Sequence, residues 1–592
     1  MRAAALAVAL AGLSGCAIPL TSVLDEEQVN TCATASDCGA GSACVARSGT
    51  LMCVATSVDL TGLTLVVSPV SGSTSVADTP FIFNPGSAKS LTRDDGTPFS
   101  ESYSTTLPDL AQITFDPQAD CSADGTGPAV PISTSIVLTR SESAAGLPPL
   151  TVTAVPDPTD AGNTRRIVSV PPGDYTAYIT PQANTGGCRP PPPTLADVAV
   201  ASPTAARVDL SGHVALSGSI ANALSLEGWQ LDVVDSAGGR PVSDVVALGS
   251  DGTFADLWLN WPDKQESPLL RLRPPNGDVA PTIYWQLASA LGASSSYDVS
   301  LALGDFDPHA LRHVEVVVIE NARADPALRA QVSAFVTFQS ESIVGVDNPA
   351  VYSVSVPTDA QGRAVPPGGL PPGRYLVTAV PSTNDSLGIG TVTLDVPAST
   401  DGDDSCFCGH TIPLPPKALL RGGVTTPQRE ALTGSPVQAV PSQDQALSFD
   451  ALLGGDGVTP RSSSGLTSSD GSFALGIDAG GLLDLSVQPV RSSNFPWLVV
   501  SQVQVQASPD AELTTSDLGA LALPAPAILS GTFHDPDGSP VVNATLRAYL
   551  PVVGALDPTG APIVVLVGQT TTDLDGHYEL LLPPSIAGSS TR

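Results

Sequence analysis

The chain is short of charge and of aromatic residues: only 14% of its 592 residues are Asp, Glu, Lys or Arg, and 5% are aromatic. An ordinary soluble domain carries about 25% charged residues. Lysine occurs only at Lys89, Lys264 and Lys417, and the 25 basic residues face 58 acidic ones, for a formal charge of −33. Nucleic-acid binding needs clustered Lys and Arg against phosphate, so this balance excludes it. Beyond the N-terminus no segment approaches 18 uninterrupted apolar residues, so no internal transmembrane helix is expected. What is abundant is proline, at 56, and glycine, at 54. Proline removes a backbone donor and glycine weakens helices, so short strands joined by turns are expected rather than long helices. A hydrophobic fraction of 42% is too high for a disordered polymer, so the chain folds.

Residues 1–15 read as a removable signal peptide: Arg2 is a small basic start and Ala3 to Leu13 an apolar stretch too short to span a bilayer. The stretch ends in Leu13-Ser14-Gly15-Cys16. This resembles the lipobox of bacterial lipoproteins, which implies cleavage before Cys16, acylation of its thiol and attachment to a bilayer through that lipid. Ala17 follows the cysteine, which by the same resemblance implies sorting to the outer membrane. An ordinary signal peptide cut after Ala9-Leu10-Ala11 is the alternative.

The remaining eight cysteines are an even set suited to disulfides in an oxidising compartment. Cys32, Cys38, Cys44 and Cys53 crowd into a Ser-, Gly- and Ala-rich stretch unable to bury a core alone, and two bridges are expected there, in any of three connectivities. Their spacing matches no zinc pattern of the C-x₂₋₄-C kind. Cys121 and Cys188 bracket one module and are expected to bridge each other. Cys406 and Cys408 are expected to be oxidised, to each other or elsewhere. The rival reading of that stretch, Cys406-Phe-Cys408-Gly-His410, is a soft metal site, because alternate strand residues share a face and would bring two thiols and the His410 imidazole together.

From residue 58 the chain repeats itself. Pro171-Pro-Gly-Asp-Tyr175 recurs as Pro371-Pro-Gly-Arg-Tyr375, each a turn leading into a strand. Leu210-Ser-Gly212, Leu420-Arg-Gly422 and Leu529-Ser-Gly531 open modules. Ser250-Asp-Gly-Thr-Phe254, Ser469-Asp-Gly-Ser-Phe473 and Leu574-Asp-Gly-His-Tyr578 turn the chain into a strand that starts on an aromatic. The expected fold is all-β: tandem Ig-like or transthyretin-like sandwiches after a small disulfide-stapled segment. The expected divisions are 16–57 for the anchored cysteine-rich segment, 58–112 for a short β module, and sandwiches at 113–207, 208–307, 308–418, 419–526 and 527–592.

The last unit carries Leu529-Ser-Gly-Thr-Phe533-His-Asp-Pro-Asp-Gly538-Ser-Pro540 and, later, Tyr578-Glu-Leu-Leu-Leu582. It resembles the carboxypeptidase-regulatory-like domain, and 419–526 resembles it more loosely. The resemblance implies a transthyretin-like sandwich with a structural or binding role. The chain runs only from Pro583-Pro584 to Arg592 after the final aromatic strand, so the last sandwich is expected to be incomplete, leaving an open edge or needing a partner strand.

Catalytic signatures are wanting. There is no G-x-S-x-G, no Walker loop, no G-x-G-x-x-G, and no His of the six has Glu three residues later as a zinc peptidase would require. His309 and His313 have metal-ligand spacing for a helix but lead into a strand-like run. Asp535-Pro-Asp-Gly538 and Asp573-Leu-Asp-Gly576 read as turns rather than calcium loops. No enzyme activity, cofactor or metal is assigned. The expected role is a non-enzymatic envelope lipoprotein acting as a structural, adhesive or protein-interaction rod, with an envelope or extracellular protein as partner. The alternative is a carbohydrate-binding surface lipoprotein, whose glycan platform would come from Trp229, Trp258, Trp261 and Trp285 if these are exposed.

Overall fold

The computed structural model describes residues 28–588 apart from 48, 71–79, 88–89, 121–128, 142–145, 183–188, 202–203, 211–213, 223, 236–238, 261–267, 288–295, 322–329, 383–385, 399–405, 443–459, 506–513 and 558–559. The described residues form strands and turns with a few 3₁₀ turns and no α-helix. None of them forms a helix long and apolar enough to cross a membrane.

Five β-sandwiches account for almost all the strands, and they share one seven-strand plan. The fourth sandwich shows it plainly. Its strands, in chain order, are Ala418–Thr425, Pro436–Pro441, Gly465–Leu466, Ser472–Ile477, Leu482–Val487, Leu498–Gln504 and Thr515–Ala522. The third, second, fifth and sixth make one sheet; the fourth, first and seventh make the other, with the first and seventh parallel. The same order holds for the sandwiches opened by Ala111–Asp120, Val214–Ala221 and Val314–Glu320, each first strand again running parallel to its seventh. Alternating burial along the strands, as in Ser472–Ile477, turns one face of each sheet into the core and the other outward.

The repeated motifs have physical causes in this plan. The Asp-Gly turns precede the fourth strand, where Gly252, Gly471 and Gly576 take φ of +74°, +77° and +72°. A Cβ at those glycines would stand 2.4 to 2.5 Å from a first-strand carbonyl oxygen, so the turn excludes other residues. The aromatic two residues on then pairs with a first-strand glycine: Gly218 with Phe254, Gly422 with Phe473 and Gly531 with Tyr578. The counterpart of Leu420-Arg-Gly422 is therefore Leu216-Ser-Gly218, six residues beyond the Leu210-Ser-Gly212 picked out in the sequence. In the Pro-Pro-Gly units the buried Tyr175 and Tyr375 hydroxyls donate to the carbonyls of Pro171 and Pro371, at 2.8 and 2.6 Å, holding the turn against the strand that leaves it.

The fifth sandwich corrects the expected division. Its first four strands are Ala527–His534, Thr545–Leu556, Pro562–Thr571 and His577–Leu582. Its fifth, sixth and seventh are Thr64–Ser68, Phe81–Phe83 and Ser100–Ser102, from the other end of the chain, with Thr105–Thr106 extending the seventh. Thus 58–112 is not a module of its own, and 527–592 gains its missing strands within the same molecule. The reason is the strand count: a four-strand half-sandwich leaves its first and second strands with unpaired edges, and the three N-terminal strands supply what both sheets lack. The seam's core joins Leu60, Leu63, Leu65, Val67, Phe81 and Phe99 to Leu529, Phe533, Leu546 and Leu580. At about 1.5–3 kcal/mol for each large apolar side chain buried, neither half keeps its core without the other.

Residues 303–313, 415–417 and 523–526 lead from the second sandwich to the third, the third to the fourth and the fourth to the composite one, and residues 107–110 lead from the composite sandwich into the first. The five units therefore form a closed cycle of connectivity. This replaces the expected rod, in which the N-terminal segment and the last sandwich would lie at opposite ends. Neighbours also share strands: Ala350–Val351 of the third unit extends the second unit's sheet, and Ala587–Gly588 pairs with Leu498–Gln504 of the fourth.

Candidate functional site at the closure

The closure begins with the parallel pairing of Ala527–His534 and Ser100–Ser102. The Tyr103 amide donates to the Ser530 carbonyl at 2.8 Å, and a Cβ on Gly531 would stand 1.9 Å from the Tyr103 carbonyl oxygen. Only glycine allows the two strands to approach so closely. The Tyr578 hydroxyl, brought over by the fourth strand, donates to that same carbonyl at 2.7 Å. Burial pushes the Tyr578 phenol well above its usual range, so it remains a donor. Its ring stacks on Phe533 at 5.0 Å, and Phe533 meets Phe83 at 5.6 Å, so aromatic contacts also cross the seam. Two ion pairs border it: Arg47 with Glu579 at 2.6 Å, and Arg93 with Glu101 at 2.5 Å.

The cysteine-rich segment covers this seam. Cys32 is bonded to Cys44 and Cys38 to Cys53, a crossed pairing that closes separations of 12 and 15 residues. The bridges hold the hairpin Ser42–Arg47 and Thr50–Ala55, from which Met52 and Val54 pack on Ile528 of the composite sandwich. The same segment reaches the fourth sandwich. The Asn30 amide donates to the Ser493 carbonyl at 2.7 Å, its side-chain amide to Cys53 and Asn494 carbonyls at 3.0 and 3.2 Å, and Gln428 donates to the Thr31 carbonyl at 3.1 Å. A segment too poor in apolar residues to fold alone is thus fixed by two bridges and two neighbours.

Among the described residues, open clefts rim the closure. One of about 520 Å³ lies between Asp59, Arg93, Asp94 and Ser585; one of about 690 Å³ between Thr31, Asp37, Gln428 and Arg429; and one of about 400 Å³ between Ala55, Thr425, Leu523 and Pro584. Asp37 and Asp59 accept backbone or hydroxyl hydrogen bonds within their own turns, which holds both carboxyls below their usual range. The first two clefts present polar rims, and the third is lined mainly by apolar residues such as Ala55, Leu523, Pro524 and Pro584.

The other sequence candidates fall elsewhere. Cys16, Cys121, Cys188 and Trp261 lie outside the described residues. Trp229, Trp258 and Trp285 are buried in the second sandwich, with Arg189 stacked on Trp258 at 3.9 Å, so they make no exposed platform. His309 and His313 sit in the loop before Val314–Glu320 rather than on a helix. The Asp573 carboxylate accepts from the Asp575 and His577 amides, and Asp535 and Asp537 from Ser539, so the Asp-Gly carboxylates are engaged by their own turns.

Cys406 and Cys408 are bonded to each other, and His410 does not join them. The parallel register beside them shifts: Val314 pairs with Phe407 but Val316 with His410, so one extra residue is inserted near Gly409, which takes φ +87°. His410 consequently falls out of the alternation and packs its ring on Phe407 at 4.2 Å. His313 approaches the sulfurs instead. The residues of the seam itself, Gly531, Tyr103 and Tyr578, were not singled out as a site by sequence. The signal was there in the strand deficit: among the described residues Phe473 is followed by three further strands of its sandwich, Tyr578 by none of comparable length.

No family model and no curated protein matches the chain. Among solved structures it is similar to a streptococcal ancillary pilin, with 11% identity over 52% of this chain and 99% of that one and a TM-score of 0.18. The Bacillus anthracis TIE protein matches with 10% identity over 71% of this chain and 73% of its own, TM-score 0.15. BcpA, the major pilin subunit of Bacillus cereus, matches with 9% identity over 53% and 99%, TM-score 0.13.

Proposed function

We propose that this chain is a non-enzymatic cell-envelope lipoprotein, anchored through acylated Cys16 and acting as a structural, adhesive or protein-interaction scaffold. The observation that carries this reading is the closure: five sandwiches of one plan are locked into a cycle by strands from both chain ends. Such a design fixes the relative positions of many loops, which suits holding or displaying surfaces. Paired bridges in the N-terminal segment accord with an oxidising compartment. The formal charge of −33 favours solubility and disfavours attachment to anionic lipid by electrostatics, leaving the lipid on Cys16 as the tether.

In this reading the tether leads directly to the closure, because residue 28 already bonds to the fourth sandwich at Ala431. The partner is another envelope or extracellular protein, engaged by the clefts around the seam. The test compares wild type with Cys16→Ser in cells. Wild type should carry acyl groups on an N-terminal Cys16 by intact mass and sediment with membranes, whereas Cys16→Ser should be released with unchanged thermal unfolding. Membrane retention of Cys16→Ser would overturn the anchor, and turnover of ester, peptide or glycoside substrates by the purified chain would overturn the non-enzymatic role.

A further inference from the structure

The cluster at the start of the third sandwich's seventh strand is separate from the closure. His313, Cys406 and Cys408 are all exposed, and one nitrogen and two sulfurs from them lie within 4.8 Å of one another. Two strands build this arrangement. The Phe407 amide donates to the His313 carbonyl at 2.8 Å, fixing the loop before Val314–Glu320 beside Phe407–Leu414, and the inserted residue near Gly409 removes His410 from the group. The Cys406–Cys408 bond spans a separation of two residues. A loop that short constrains the unfolded chain little, and an exposed bridge is open to attacking thiolates.

We propose that His313, Cys406 and Cys408 form a thiol-gated site for a soft metal ion, with zinc as the ion to test. The oxidised pair closes the site. Reduction by a dithiol transfers two electrons: the dithiol closes its own disulfide, the Cys406–Cys408 bond breaks, and each sulfur receives a proton. Zinc then replaces those two protons and takes two thiolates and one imidazole, leaving a fourth position open to water or an exchanging ligand. Zinc at its usual bond lengths holds such donors about 3.5–3.8 Å apart, within reach of small side-chain rotations here. Two thiolates with one imidazole favour zinc or copper(I) over the hard cations.

The experiment uses the full chain treated with just enough dithiothreitol to free two thiols, freed of reductant and titrated with zinc sulfate against a coloured chelator. One zinc per chain should bind with release of two protons, and reoxidation should expel it. His313→Ala should weaken binding by about 100-fold or more, since loss of even an outer-shell partner costs 10–100-fold, while His410→Ala should leave it unchanged. Alkylating the two freed thiols of the wild-type chain should abolish binding without depending on the folding of a variant. Equal zinc uptake after that alkylation would overturn the proposal. So would loss of zinc in His410→Ala with retention in His313→Ala, or failure of mild reduction to free Cys406 and Cys408.

Discussion

Gly531→Ala should open the closure while leaving the other sandwiches intact. The added Cβ would stand 1.9 Å from the Tyr103 carbonyl oxygen and 2.6 Å from its carbonyl carbon, both backbone atoms that cannot rotate away. Restoring ordinary contact means moving the Ser100–Ser102 strand by more than about 1 Å, and overpacking of this kind costs about 1–3 kcal/mol. The shift also stretches the 2.8 Å bond from the Tyr103 amide to Ser530 and the 2.7 Å bond from Tyr578, at about 1 kcal/mol each. A total near 3 kcal/mol corresponds to about a hundredfold more opening of the seam. Hydrogen exchange followed by mass spectrometry reads this directly, because peptides covering 64–106 should exchange about a hundredfold faster. Gly218→Ala is the matched control: its Cβ would meet the Val299 carbonyl oxygen at the same 1.9 Å, but inside the continuous second sandwich. It should loosen that sandwich and leave 64–106 protected. If Gly531→Ala leaves the exchange of 64–106 within about threefold of wild type while Gly218→Ala accelerates its own sandwich, the seam does not depend on this strand pairing and the reasoning fails.

Three further outcomes are expected. Tyr578→Phe removes the hydroxyl that satisfies the Tyr103 carbonyl and should cost about 1–2 kcal/mol, seen as faster exchange in Ser100–Thr106 with little change in the fourth sandwich. Asp232 is fully buried and receives Arg271 at 2.9 and 2.6 Å and Arg273 at 3.1 Å, so Asp232→Ala should cost about 3–5 kcal/mol and make the second sandwich the first cleaved in limited proteolysis. Asp160 accepts the Arg165, Thr164 and Gly162 amides, which lowers its carboxyl to about 2. Because the folded value is depressed, its contribution to the 157–165 turn is fully present above the ordinary carboxyl value and is lost as pH falls through about 2. The protection of amides in that turn, relative to their intrinsic exchange at each pH, should therefore hold from neutral pH down to about pH 4 and fall steeply near pH 2; Asp160→Asn should remove that pH step.

The local motifs were legible because each is satisfied within a few residues. Tyr175 and Tyr375 donate to a carbonyl four positions back, and Asp-Gly with its aromatic sets up one turn and one strand, so the all-β, repeated character follows from short-range chemistry. The position of Leu216-Ser-Gly218 was missed because Leu210-Ser-Gly212 carries the same letters, and only the cross-strand partner Phe254 distinguishes the two glycines. The rival metal reading grouped His410 with the two thiols because strict alternation ignores an inserted residue, and Gly409 at positive φ marks that insertion. The closure was hidden for a different reason. Tyr578 meets Tyr103 across 475 positions, and strands as short as Phe81–Phe83 and Ser100–Ser102 carry almost no periodic signal. Counting strands per repeat exposes it: the cut between Tyr578's strand and the next leaves four strands at one end and three at the other, which together make one complete plan. Placing the cut inside a sandwich rather than between two makes the union of the chain ends part of a hydrophobic core. A cycle cut between modules could open at the cost of a surface contact, whereas this one can open only by exposing Leu65, Phe81, Phe99 and Phe533 to water, so the closed form is the one in which any role of the assembled surface must be exercised.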